Sequence, residues 1–101
     1  MPDRRGARAL PPEALAGLRL AFRAEVAEHL PRIRAVHAGS CPDELTGALR
    51  AAHSLAGSAA VLGEPVASRV ARGIESSLSA GAQQEVPAQV DVFVSLLGAW
   101  R

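Results

Sequence analysis

Lysine and tyrosine are absent from this 101-residue chain; cysteine and tryptophan occur once each, and phenylalanine twice. Aromatics amount to only 3%, which disfavours a β-sandwich or barrel, since those folds draw heavily on Val, Ile, Thr and aromatic side chains. No segment alternates with period two for long. The single cysteine, Cys41, rules out an internal disulfide and suggests an intracellular, cytoplasmic chain. No apolar run approaches the roughly 20 residues that span a bilayer. Residues 1–10 carry arginines without an apolar stretch, so no secretory signal is expected. A formal net charge of +1 speaks against nucleic-acid binding by bulk charge, and no basic amphipathic face suits a membrane surface. There is no Walker or other glycine-rich nucleotide motif. His29, His37 and Cys41 do not have zinc-ligand spacing, so neither metal nor cofactor is expected.

What the chain does have is alanine, 21 residues of it, and arginine, which supplies all 11 basic side chains. Hydrophobic residues at 49% and charged residues at 21% are ordinary for one globular domain. The mixture favours helix. Residues 1–10, with Arg4, Arg5 and Arg8, are expected to form a solvated lead-in, and 11–101 the domain.

Four amphipathic segments follow. Pro11 and Pro12 suit a helix start, because the first turn does not need their missing N–H groups. Leu15, Leu18, Phe22, Val26, Leu30 and Ile33 then recur every three or four residues. Pro31 predicts a kink, or a short second helix running to about His37. Ser40 or Cys41, followed by Pro42, Asp43 and Glu44, opens the next helix, its acids facing the positive dipole end. Its stripe is Leu45, Leu49, Ala52, Ala56 and Ala59, with Leu55 and Leu62 on one margin and Gly63 as the stop. Val66, Val70, Ile74 and Leu78 mark a third helix, ended by Gly81. Val86, Val90, Phe93, Leu97 and Trp100 mark a fourth, with Pro87 in its first turn. Short Gly/Pro connections predict an all-α, antiparallel, up-down four-helix bundle, which closes one core as a monomer.

The informative stretch is Arg50-Ala-Ala-His53-Ser54-Leu-Ala-Gly57-Ser58-Ala-Ala60-Val-Leu-Gly63. The helical wheel puts His53 on the exposed flank, with Arg50 one turn before it and Gly57 one turn after. Glycine inside a helix costs about 1 kcal/mol relative to alanine. Close approach by another molecule would explain it here. A neutral imidazole on a rigid helix is a nucleophile near neutral pH, able to take up a phosphoryl group and hand it on.

His53-Ser54-Leu55-Ala56-Gly57-Ser58-Ala59, closed by Gly63, resembles the phosphorylation motif of histidine phosphotransfer (HPt) domains, including those at the N-terminus of chemotaxis-type kinases such as CheA. The resemblance covers Leu15 to Trp100 and implies an antiparallel four-helix bundle with the histidine exposed on the second helix. It also implies that Glu75, 22 residues after His53 on the third helix, hydrogen-bonds the inner ring nitrogen. Family members often carry lysine three residues after the histidine, and this chain has Ala56 there. Arg50 and Arg72 are the candidates to supply a cation instead.

By this resemblance the chain is a phosphoryl carrier, not itself a kinase. His53 accepts from a kinase ATP-binding domain and passes the group to an aspartate of a response-regulator receiver domain. Ser54, Gly57, Ala60 and Glu64 are expected docking contacts, with Arg50 and Arg72 touching a phosphoryl oxygen or a partner. The alternative is a non-transferring helical adaptor of the same shape, with Ala56 as its motive.

Overall fold

The structure, a computed structural model, describes residues 11–98. The expected lead-in at 1–10, with its arginines, and Trp100 lie outside the described residues. Among these there are four α-helices, one 3-10 turn and no strand. Helix α1 is Pro12–Arg34, α2 is Pro42–Val61, α3 is Pro65–Ser79 and α4 is Val86–Gly98. The 3-10 turn, Gln83–Glu85, leads into α4.

Prolines open α1, α2 and α3 where the sequence suggests. At the start of α2, the Cys41 N–H donates to Glu44 Oε1 at 2.8 Å, satisfying one donor that the helix leaves free. That bond holds the Glu44 carboxyl below the usual carboxylate range. Gly63 and Gly81 follow α2 and α3 with φ of +83° and +76°, left-handed values that favour glycine.

Pro31 does not divide α1. The helix runs through it to Arg34, and Ala35 N–H still reaches the Pro31 carbonyl at 3.0 Å. Proline in a helix interior costs about 3 kcal/mol, but here it sits in the last turn, where few later bonds depend on it. Fully burying Ile33 just beyond contributes about 1.5–3 kcal/mol toward offsetting that.

Three stripes differ from their expected positions. On α1, Phe22, Val26, Leu30 and Ile33 are buried, whereas Leu15 is half-buried and Leu18 exposed. On α2 the buried set is Ala48, Ala51, Ala52, Leu55, Ala56 and Ala59. Leu45 and Leu49 are only half-buried, and Leu55, expected at the margin, is central. The buried face is therefore turned by about 50° at 100° per residue, away from His53. On α3 the seam runs through Ala67, Ser68, Ala71, Ile74 and Leu78, leaving Val66 exposed. Only α4 matches throughout its described length, with Val86, Val90, Phe93 and Leu97 all buried.

Two kinds of packing hold the bundle. Between α2 and α3 the buried side chains are mostly alanine, and small residues let helix axes approach toward the short end of the usual range of about 8–10 Å. The Ser68 hydroxyl, buried, donates to the Ala56 carbonyl at 2.9 Å and ties the two helices together. Between α1 and α4, Phe22 meets Phe93 edge-to-face, with centroids 6.3 Å apart, and Arg23 donates to the Leu97 carbonyl at 3.1 Å.

Candidate functional site: an exposed histidine braced by the neighbouring helix

His53 stands mid-way along α2 with its side chain 77% exposed. Rotation of the core face away from it leaves the ring clear of the interior. Glu75 rises from α3 and is half-buried. The Nδ1–H of His53 donates to Glu75 Oε2 at 3.0 Å. With Nδ1 occupied as donor, the neutral ring carries its lone pair on Nε2, the nitrogen that points away from the protein's own partner. The carboxylate thus sets both tautomer and ring orientation. The pair depends on the α2–α3 seam, where alanines and the Ser68–Ala56 bond fix the spacing of the two helices.

Gly57 follows one turn after His53, and a Cβ built there would meet nothing within 4 Å. Tight packing against a neighbouring helix is therefore not the reason for this glycine. It opens a groove of about 480 Å³ between α1 and α2, lined by Leu18, Phe22, Glu25, His53, Ser54 and Ser58 among others.

The remaining expected residues fall on two sides of the imidazole. Ser54 and Gly57 line the α1–α2 groove. Ala60 and Arg72 line a separate depression on the α3 side, with Gly63, Ser68 and Arg69. Arg50 is exposed, and neither it nor Arg72 has a hydrogen bond or ion pair among the described residues. Glu64 is held by Arg19 at 3.6 Å. Ala56 is buried in the α2–α3 seam, its carbonyl taken by Ser68.

One residue of the site escaped the sequence reading. Glu25, on α1, accepts hydrogen bonds from the Ser54 and Ser58 hydroxyls, both at 3.1 Å and both on Oε2. The two serines are one helical turn apart and so share a face, a signal visible in the sequence. Their acceptor lies 29 and 33 residues away, on a helix whose register no local pattern reveals.

Among the described residues, no group of three or more His, Cys, Asp or Glu is placed to hold a metal ion. Nor is any described helix long and apolar enough to cross a membrane. Comparison with curated proteins and with solved structures gave no match. Comparison with protein-family models matched the Hpt domain over residues 6–101. Since that match takes in all four helices and the histidine they present, the chain belongs to the Hpt family, the phosphocarrier modules that carry out histidine phosphotransfer in phosphorelay signalling between kinases and response regulators.

Proposed function

We propose that His53 is the phosphoacceptor, and that it takes the γ-phosphoryl of ATP from a separate kinase domain and gives it to an aspartate on a receiver domain. The observation that carries this reading is the exposed imidazole braced through Nδ1 by Glu75 at 3.0 Å. The Nε2 lone pair attacks phosphorus, a P–N bond forms, and the bond to the ADP oxygen breaks. The ring gains positive character as it bonds to phosphorus, and the adjacent Glu75 carboxylate stabilises it. In the second transfer, an aspartate oxygen of the receiver attacks the same phosphorus, the P–N bond breaks, and the neutral ring is restored. Rate enhancement comes largely from positioning and from charge supplied by the partners.

Arg72, one turn before Glu75 on α3, and Arg50, one turn before His53 on α2, are the candidates to contact a phosphoryl oxygen. Ser54, Gly57 and Ala60 form the docking surface around the ring. The helices run antiparallel, up-down-up-down, in this reading. The short α2–α3 connection supports it, as does the pairing of His53 with Glu75 and of Ala56 with Ser68, where one residue number rises as the other falls. The carrier works as a monomer, and its dependence on ATP makes the cytoplasm its compartment. A chemotaxis-type kinase as its parent fits the glutamate at position 75.

Phosphoramidate, a small donor able to phosphorylate histidine, tests the site without a cognate kinase. Intact mass should show one acid-labile phosphoryl adduct on the parent and none on His53→Gln, with helical circular dichroism unchanged. No adduct on folded parent protein would favour the adaptor reading, for which the missing cation at Ala56 is the structural motive. Loss of helical signal in His53→Gln would show that the ring is structural.

A further inference from the structure

The α1–α2 groove beside His53 holds one charged group that phosphoryl uptake does not use. Glu25 is half-buried, and its Oε2 takes the hydroxyls of Ser54 and Ser58, each at 3.1 Å. Neither serine neutralises it, and among the described residues no arginine or histidine pairs with it. The groove around it is otherwise largely apolar, with Leu18, Phe22, Val61 and Leu62. A carboxylate in such surroundings is poorly screened by water, so a cation brought beside it is attracted more strongly than at an open surface. The two hydroxyls also fix the carboxylate plane, leaving Oε1 free to accept from a further donor.

We propose that Glu25, oriented by Ser54 and Ser58, is a specificity-determining residue that receives an arginine or lysine side chain from the receiver domain docking over His53. The proposal rests on the phosphoacceptor reading above. Charge decides between the two partners. An ATP-bearing domain brings a polyphosphate, which an unpaired carboxylate repels. The separate depression on the α3 side, with Arg69 and Arg72 along it, suits that anion. The acidic, apolar groove suits a cationic side chain carried on an apolar protein face.

Amide NMR titration with benzylguanidinium, using benzyl alcohol as the uncharged control, examines the site directly. The cation should shift the Ser54, Gly57 and Ser58 signals saturably and bind at least about fivefold more tightly than the alcohol, as expected of one partly screened charge pair. Glu25→Gln keeps an oxygen for both hydroxyls and should bring the two probes to near equality. Equal binding by both probes to the parent, no shift from either, or a preference that survives Glu25→Gln would each overturn the proposal. With the receiver that drains phospho-His53, Glu25→Gln should raise KM about fivefold and leave kcat in place. A fall in kcat alone would also overturn it. Phosphoramidate uptake by the parent is scored separately: its absence removes the phosphoacceptor reading, whereas the probe titration judges the cation site by itself.

Discussion

Two opposite seams of the bundle are built from different materials. Helices α2 and α3 meet through Ala52, Ala56, Ala67 and Ala71, with one buried hydroxyl-to-carbonyl bond. Helices α1 and α4 meet through Phe22 and Phe93, with Arg23 closing on the Leu97 carbonyl. Large side chains bury more apolar area each, so the α1–α4 seam gives more stability per residue. Alanines give less, but they hold two backbones at a short, well-defined distance, with little rotamer freedom to blur it. The His53–Glu75 pair spans the alanine seam. A contact of 3.0 Å between groups on separate helices needs that definition more than it needs stabilisation.

Substitutions can separate the two roles. The largest effect on stability should come from Phe93→Ala at the large-residue seam, where the ring is fully buried. Urea unfolding should show a loss of about 3–5 kcal/mol, while phosphoramidate uptake per folded molecule stays unchanged. Ala56→Leu, at the alanine seam, should cost about 1–3 kcal/mol through overpacking. Unlike Phe93→Ala, it should also slow uptake, because it pushes Glu75 away from His53. Uptake at the parental rate in a folded Ala56→Leu protein would break the comparison.

Glu75→Ala should leave the unfolding free energy within about 0.5 kcal/mol of the parent, because its one partner, His53, is largely exposed and alanine keeps the helix propensity. Its uptake should fall by about tenfold or more, the usual loss when a carboxylate that orients a working imidazole is removed. An unchanged rate would remove Glu75 from the site. The smallest effect belongs to Glu44, remote from both seams. Its folded-state pKa is lowered by the Cys41 N–H bond, so its contribution to stability is present above the unfolded carboxylate pKa of about 4.3 and is lost as pH falls through the lower folded value. Thermal melts of Glu44→Gln should therefore lie slightly below the parent at neutral pH and converge with it in acid.

The same difference in materials explains what the sequence could and could not show. The α4 stripe was legible because Val86, Val90, Phe93 and Leu97 are large and evenly stepped. The α2 stripe was misplaced because leucines dominate any apolar pattern, whereas the core face is mostly alanine, which is found inside and outside alike. His53 came out exposed under either orientation, and Glu75 was found through its fixed distance from a motif. Glu25 was not found, because its bonds to Ser54 and Ser58 depend on how α1 docks along α2. At Pro31 local propensity predicts a kink or a second helix, and it ignores Ile33, whose burial helps keep the last turn in one helix.

The empty space above Gly57 sets stability and exchange against each other. Alanine there would meet nothing within 4 Å and should stiffen α2 by about 1 kcal/mol, raising the melting temperature. The added methyl would project into the opening through which, in the transfer proposed above, a receiver closes on the ring. A selection for heat resistance alone would therefore accept Gly57→Ala as an improvement, and on the proposed transfer it would enrich proteins that hold their phosphoryl group longer. Any thermostabilised version of this carrier has to be screened for turnover at that position.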